Sequence, residues 1–208
     1  MIGICLSGVL PWISRSSECS PTLWIGPRGA SETSRCRRFR VPQDVATFRP
    51  DETQRRVLRR GQRELTWQVG EPIADEQRVA LYNRHKELRG LAARQSEVDL
   101  RSYREFLAMS CCDTLEIRYR LGDTLVGVAI ADRASDSLSA VYCYYDPSYE
   151  RLALGTYSVL KELELCRLWG LRYLYLGLYI AESAHMRYKA AFLPHERLLE
   201  GKWLEVTK

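Results

Sequence analysis

The amino-acid sequence predicts an α/β fold in which helices cover a central mixed sheet. Short strands with tight turns occupy 114–145, a mostly apolar helical segment follows over 155–169, and a further apolar strand follows over 171–178. Strands, then a buried helix, then another strand indicate a mixed sheet with helices packed against it. The chain has 208 residues, of which 46% are hydrophobic, and this is enough for one such domain.

The elements follow from local patterns. Pro50 and the acidic residues after it favour a helix start, and Gly61 favours its end at about Arg60. Apolar and charged residues alternate over 114–120, as in a strand with one buried face, and a hairpin turn at 121–124 follows. In chain order, the patterns predict strands at 39–42, 65–69, 114–120, 125–131, 138–145, 171–178 and 202–206, and helices at 50–60, 75–89, 99–109 and 155–169.

Two helices carry further expectations about their faces. The helix at 75–89 should be amphipathic and place His85 on its polar side. The helix at 99–109 should turn four apolar residues inward: Leu100, Tyr103, Phe106 and Leu107.

Residues 1–35 differ from the rest of the chain. They are rich in Ser, Pro, Gly and Arg without periodicity, so we predict a poorly ordered N-terminal segment followed by one domain over 36–208. The apolar start at 1–13 lacks a basic region, is interrupted by Pro11, and is too short to cross a bilayer. Seven cysteines without a disulfide pattern favour a reducing compartment. The expectation is therefore a cytoplasmic protein with no membrane partner.

Basic charge is concentrated near the start of this domain. Of 31 basic residues 26 are arginine, and eleven arginines but only four acidic residues lie between Arg28 and Arg63. That stretch carries a charge of +7, whereas the rest of the chain sums to −2. Arginine binds phosphate in a bidentate manner, so the zone favours a polyanionic partner. A solvated helix face, or the composition of a GC-rich genome, would produce the same excess.

The motifs of nucleophilic, metal and nucleotide chemistry are missing from the sequence. No G-x-S-x-G, H-E-x-x-H, Walker A or G-x-G-x-x-G segment occurs, and no C-x-x-C pair predicts a metal site. What remains is chemistry by positioning. Gly155 and Thr156 open a helix directly after a strand and a turn, where free N–H groups can bind phosphate. The polar segment 186–189 follows the end of a central strand, where open sheets place ligands.

The chain resembles the aminoacyl-tRNA–protein transferases of the N-degron pathway, both the bacterial leucyl type and the eukaryotic arginyl type. The resemblance begins near Cys36 and runs almost to the end of the chain. The segments that carry it are Phe39-Arg-Val-Pro42, 48–57, Glu64-Leu-Thr-Trp-Gln68, Ser139-Ala-Val-Tyr142 through Asp146-Pro147, Leu154-Gly-Thr-Tyr157, Tyr173-Leu-Tyr-Leu-Gly177 and Met186-Arg-Tyr-Lys189.

This resemblance implies a fold similar to the GNAT acetyltransferases and a specific reaction. An amino acid, Leu or Arg, would pass from aminoacyl-tRNA to the α-amine of a protein that begins with Asp or Glu, marking that protein for degradation. No cofactor would be needed, because aminoacyl-tRNA is the co-substrate. The reaction then requires proximity, worth roughly 7–11 kcal/mol, and donors for the developing oxyanion.

The same resemblance suggests roles for individual residues. Gly155 and Thr156 would face the tRNA 3′ end, and Arg187 and Lys189 would hold the acidic side chain of the acceptor or a phosphate. Other tRNA or substrate contacts would come from the helix turn that contains Gln54, Arg55 and Arg56. The candidates for a general base are Tyr144, Tyr179 and Tyr188.

One departure from the family pattern keeps two alternatives open. The family carries C-x-x-C-x-x-C before the first strand, whereas alignment on Cys36 places Ala30 and Thr33 at the other two cysteine positions. A non-catalytic module that binds tRNA or protein N-termini is therefore one alternative. The other is an N-acyltransferase that uses acyl-CoA, although the sequence does not contain the glycine-rich loop of that class, to which 151–156 is the nearest segment.

Overall fold

A computed structural model describes residues 37–41, 45, 48–91 and 97–207 of the chain. The segment 1–35 and Cys36 lie outside these residues, so their predicted disorder and the metal motif are not addressed by the structure. The strands are β1 (Arg37–Val41), β2 (Thr66–Gly70), β3 (Asp113–Leu121), β4 (Thr124–Arg133), β5 (Ser137–Tyr145), β6 (Tyr173–Tyr179), β7 (His195–Leu199) and β8 (Lys202–Val206). The α-helices are α1 (Glu52–Glu64), α2 (Glu76–Leu88), α3 (Leu100–Tyr103) and α4 (Leu154–Leu168).

These strands form one mixed sheet in the order β2-β3-β4-β5-β6-β1-β7-β8. All neighbouring pairs are antiparallel except β5 and β6, which run parallel and are joined by α4. The predicted α/β class, with helices covering a central mixed sheet, is thereby confirmed. No helix in the described part of the chain combines the length and apolar character needed to cross a membrane.

Two apolar layers hold the helices against the sheet. On one face, side chains of β3, β4 and β5 pack against α4, with α1 packed on α4 in turn. On the other face, a second cluster joins β4 and β5 to α2 and α3. The fully buried tyrosines mark these layers, with Tyr119 and Tyr157 in the first and Tyr103 and Tyr144 in the second.

Helix α1 extends past its predicted end. It begins after Asp51, which forms a capping box with Gln54, and it continues through Gly61 to Glu64. Gly61 is buried in the helix interior, and a Cβ atom there would overlap the ring of Tyr157. The prediction that Gly61 ends the helix is therefore wrong, since this glycine permits the close approach of α1 to α4 rather than a change of chain direction.

Other differences are local. Helix α3 continues into a π-helical turn at Arg104–Ala108, and of its four expected core residues only Tyr103 and Leu107 are buried, whereas Leu100 and Phe106 are exposed. Strand β7 was not predicted, because His195–Leu199 carries charged and polar residues without clear alternation. Strand β8 occupies its predicted range.

Candidate active site

The central feature of the sheet is a notch where β5 and β6 separate. The two strands pair only from Ser137 to Ser139 and from Tyr173 to Tyr175. Beyond these pairs β5 continues over 140–145 and β6 over 176–179 without pairing to each other. We call the space between these unpaired ends the β5–β6 notch. It opens at the carboxyl ends of two parallel strands, where open α/β sheets bind ligands.

The backbone of β5 presents polar groups to this notch. The Asp146 N–H donates to the Val126 carbonyl on β4 at 3.0 Å, and backbone groups of an antiparallel strand alternate between its two edges. The backbone groups of Cys143 and Tyr145 therefore point to the notch. A β-bulge at Val141, where β5 has one residue more than β4, begins this unpaired stretch.

His85 of α2 closes the outer end of the notch. Its Nδ1 lies 2.9 Å from the Tyr145 carbonyl oxygen and 3.2 Å from the Tyr145 backbone nitrogen. The imidazole is buried and packs edge-on against the Tyr145 ring. Burial lowers the pKa of His85 from its ordinary value. The expectation that His85 lies on a polar helix face is wrong, because that side of α2 covers the end of β5.

The N-terminus of α4 opens beside the same tyrosine. Ala153 precedes the helix with φ 47° and provides no side-chain cap, so the first N–H groups of α4 have no side-chain acceptor at this end. An added Cβ at Gly155 would lie 3.6 Å from Cε1 of Tyr145, which is ordinary contact. Gly155 and Thr156 are both half-buried. The positive end of the helix dipole thus meets the mouth of the notch, as the sequence predicts.

Tyr188 belongs to the 3-10 segment Arg187–Ala191 and lies in the neighbourhood of the notch. The residue exposes 42% of its surface, yet burial of its hydroxyl raises the pKa of Tyr188. Cys143, Glu162 and Tyr145 add to this rise, and Arg89 opposes it. The ring therefore extends from solvent to the interior, with its hydroxyl in the electrostatic neighbourhood of β5 and α4.

Of the other two tyrosine candidates, Tyr179 ends the unpaired stretch of β6 that borders the notch, whereas Tyr144 lies away from it. Tyr144 is fully buried on the opposite face of the sheet, and its hydroxyl lies 2.5 Å from that of Tyr103. The prediction that Tyr144 takes part in the reaction is therefore wrong. Its neighbour Tyr145 faces α4 and the notch, so Tyr144 faces the other side of the sheet. Tyr179 ends β6 as a buried core residue with the Arg197 guanidinium 4.5 Å from its ring.

The three residues of α1 that were predicted to contact tRNA or substrate have different environments. Gln54 is buried, and its amide donates to the Ala191 carbonyl at 3.0 Å. Gln54 thus fixes the 3-10 segment to α1, and its expected tRNA contact does not fit this position. Arg55 and Arg56 are exposed and form ion pairs with Glu52 at 3.1 and 3.3 Å. They lie on an accessible basic face.

The two predicted cations of the 3-10 segment also differ. The Lys189 ammonium donates to the carbonyl oxygens of Leu176 and Leu178 at 2.6 and 2.7 Å. It therefore holds the segment against β6. Arg187 is exposed and forms no side-chain hydrogen bond or ion pair with another described residue. Its guanidinium is accessible to a ligand.

Sequence patterns missed four residues that surround the notch: His85, Arg89, Tyr145 and Glu162. One signal was available for Tyr145, because it follows Tyr144 in a strand and must face the opposite side of the sheet. For the other three, the chain offers no local sign, because α2 and α4 reach the notch only through tertiary packing.

Comparisons of the amino-acid sequence with known proteins point to one family. Residues 77–199 match the family described as arginine-tRNA-protein transferase, C terminus. The aspartate/glutamate leucyltransferase of Chromobacterium violaceum is 39% identical over 170 residues, covering 81% of this chain and 68% of that protein. The enzyme of the same name from Gluconacetobacter diazotrophicus is 39% identical over 176 residues, covering 84% and 66%. The chain thus spans about two thirds of the length of these relatives.

A solved structure gives a likeness of fold alone. It is the C-terminal domain of an Agrobacterium fabrum protein described as a lysylphosphatidylglycerol synthetase. The TM-score is 0.58 at 14% identity, with 81% of this chain and 58% of that chain covered. The family match includes α2, β5, α4 and β6, which together form the notch. The chain therefore belongs to the family of arginine-tRNA-protein transferases and aspartate/glutamate leucyltransferases.

Proposed function

We propose that the chain transfers leucine from leucyl-tRNA to the α-amine of proteins that begin with Asp or Glu, marking them for degradation by the N-degron pathway. The names of its relatives support leucine as the donor amino acid and Asp or Glu as the acceptor. The observation that carries the proposal is the β5–β6 notch, which combines unpaired backbone donors, an uncapped helix N-terminus and an accessible arginine.

The reaction needs no covalent intermediate on the protein. The neutral α-amine attacks the ester carbonyl, the ester C–O bond breaks, and the tRNA 3′ oxygen leaves as a hydroxyl. An amide forms, and the proton that the attacking amine loses ends on the leaving 3′ oxygen. The one proton released to solvent comes from the α-ammonium of the acceptor before attack. An α-ammonium has a pKa of about 7.7–8.0, so roughly a tenth of the acceptor is reactive at pH 7. Catalysis is then a matter of holding amine and ester together, worth roughly 7–11 kcal/mol.

The N-terminus of α4 would receive the 3′ end of the tRNA. The N–H groups of Gly155 and Thr156 and the helix dipole favour a phosphate there. The exposed Arg55 and Arg56 would contact phosphates farther from the ester.

Within the notch, the Cys143 amide would stabilise the oxyanion. Its N–H points to the unpaired edge of β5, and removal of one such donor typically costs about 2.7–4 kcal/mol of transition-state stabilisation. Since burial raises the pKa of Tyr188, its hydroxyl stays protonated at neutral pH and serves as a hydrogen-bond donor rather than as a base. Arg187 would pair with the acidic side chain of the acceptor.

The test uses the purified chain, radiolabelled leucyl-tRNA or arginyl-tRNA, and peptides that begin with Asp, Glu, Lys or Ala. We expect leucine transfer to the Asp and Glu peptides and little transfer to the others. A parallel assay with acetyl-CoA addresses the alternative acyl donor, because an uncapped helix N-terminus would also accept a pyrophosphate. Acetyl transfer without leucyl transfer would overturn the proposal in favour of an acyl-CoA enzyme.

Two further outcomes are informative. Tight binding of leucyl-tRNA without transfer to any peptide would support a non-catalytic binding module instead. For the degradation role, the half-life of a reporter that begins with Asp is compared in cells with and without the chain. A half-life unchanged by the chain, despite leucine on the reporter, would reject this part of the proposal.

A further inference from the structure

A buried chain of polar side chains lies beneath the β5–β6 notch. The Tyr119 hydroxyl donates to Ser158 Oγ at 3.1 Å, and Ser158 donates to Glu162 Oε1 at 3.3 Å. All three residues are almost completely buried. They connect β3 to α4, and Cys143 of β5 lies close enough to Ser158 and Glu162 for both to affect the pKa of its thiol.

The second carboxylate oxygen of Glu162 has no hydrogen-bond partner. Glu162 is 1% exposed, and a buried acceptor left unpaired is costly. The titratable groups that face it are Tyr119 of β3, Cys143 of β5, Cys166 of α4 and Tyr188 of the 3-10 segment. Among these described neighbours none is a cation. The Glu162 carboxyl group therefore has no positively charged partner among these residues.

Burial raises the pKa of Glu162 to about 8. In the free protein the carboxyl is thus largely protonated at neutral pH. A ligand that brought a positive charge beside it would convert it to the carboxylate and supply the missing hydrogen bond. Of the groups that face Glu162, Tyr188 is exposed to solvent over 42% of its surface.

An aminoacyl ester differs from a simple acyl donor by one group of this kind. Its α-ammonium is attached to the carbon next to the reacting carbonyl. With the carbonyl at the Cys143 amide, that ammonium falls in the region where Cys143 and Glu162 meet. We propose that the carboxylate of Glu162 binds the α-ammonium of the donor's aminoacyl group, so that the notch accepts an aminoacyl ester in preference to a plain acyl donor.

This inference rests on the proposed function for the identity of the donor, and its test measures binding separately from transfer. Two tRNA probes carry leucine through a stable amide bond, one with a free α-amine and one N-acetylated. Their dissociation constants are measured at pH 7 for the wild-type chain, Glu162→Gln and the control Glu164→Gln. Glu164 lies one half-turn away, is partly exposed and pairs with Lys161 at 2.7 Å.

We expect the wild-type chain to prefer the free-amine probe by about 10- to 100-fold, in line with a hydrogen bond to a charged group. Glu162→Gln should reduce this preference to a few-fold at most by weakening the free-amine probe alone. Glu164→Gln should behave as wild type. Because the amide is isosteric with the neutral carboxyl, the variant should fold, and circular dichroism checks that it does.

Each outcome separates the two proposals. Equal binding of both probes by the wild-type chain, or an unchanged preference in Glu162→Gln, would overturn the role of Glu162 even if leucyl transfer is observed. A preference that depends on Glu162 would support it even if no transfer to peptides occurs, and the failure would then belong to the proposed function.

Discussion

The imidazole of His85 occupies the backbone edge of Tyr145, with Nδ1 at 2.9 Å from the carbonyl oxygen and 3.2 Å from the nitrogen. This side chain is the described partner of the last notch-facing backbone groups of β5. His85 therefore defines the outer limit of the notch, and the Cys143 amide is the notch-facing donor that remains inside. Helix α2, which covers one face of the sheet, thus contributes a side chain to a site that opens at the ends of two central strands.

Replacement of His85 by Ala should destabilise the fold by about 1–3 kcal/mol, because the Tyr145 backbone group that Nδ1 binds, its carbonyl or its N–H, loses that partner. Urea denaturation measures this loss. Since burial lowers the pKa of His85, the unfolded chain binds a proton more readily than the folded one. The contribution of His85 to stability should therefore decline as the pH falls below about 6.5. His185→Ala, at an exposed histidine, serves as control and should change little.

Alanine at Gly61 of α1 should lower the stability of the protein much more than alanine at Gly155 of α4. Gly61→Ala places a Cβ into the ring of Tyr157 and should cost about 1–3 kcal/mol or more from overpacking. Gly155→Ala meets Tyr145 at ordinary contact distance, so its free energy of unfolding should stay within about 1 kcal/mol of wild type. Chemical denaturation of both variants decides. Equal losses would show that the packing of α1 on α4 is not as close as described.

Removal of the Tyr188 hydroxyl should lower transfer without unfolding the protein. For Tyr188→Phe we expect a fall in kcat of about 10- to 100-fold, since a hydrogen bond at the reacting ester is lost, with a thermal midpoint close to wild type. For Tyr144→Phe we expect the reverse, a loss of about 1–2 kcal/mol of stability from its buried bond to Tyr103. Single-turnover rates and melting curves separate the two. A larger kinetic defect in Tyr144→Phe would contradict the placement of these side chains.

Alanine at both Arg55 and Arg56 should weaken tRNA binding and make it less sensitive to salt. Each phosphate contact removed reduces the slope of log K against log salt by about 1, so the double variant should lose about 2 if both bind phosphate. Stability should change by less than about 1 kcal/mol, because the pairs with Glu52 are exposed. Filter binding at several salt concentrations gives the slope. Arg101→Ala, on the opposite face of the sheet, should leave it unchanged.

Glu162 should also make stability depend on pH. Its pKa is raised to about 8 in the folded protein, so the folded state holds a proton that the unfolded chain releases above about pH 4.5. The free energy of unfolding should therefore fall with rising pH, with a slope from this group of about 1.4 kcal/mol per pH unit between those limits. Glu162→Gln should remove that slope. Urea denaturation at pH 5, 6, 7 and 8 measures it, and parallel slopes in both proteins would mean that Glu162 is not buried as a neutral acid.

Local patterns determined most of the secondary structure. The apolar run of β4, the hairpin before it and the apolar helix α4 were predicted within a few residues, because periodicity and turn residues act over short stretches of chain. The same patterns located the Gly155 turn and the segment with Tyr188. The expected reaction came from the family motifs, because these depend on the identity of individual residues, whereas periodicity depends only on whether a residue is apolar or polar.

Tertiary structure decided which side chains meet at the notch. Strand alternation requires Tyr144 and Tyr145 to face opposite sides, but only the packing of α4 against Tyr145 shows which side belongs to the notch. Gln54 and Gly61 were misinterpreted for the same reason, since their partners lie on segments more than 90 residues away in sequence. The sequence by itself determined the order of the elements other than β7, and the family. The burial of Glu162 and the contact of His85 with Tyr145 were decided by the tertiary structure. Both depend on how helices pack against strands that are distant in sequence, and no local segment of the chain specifies this.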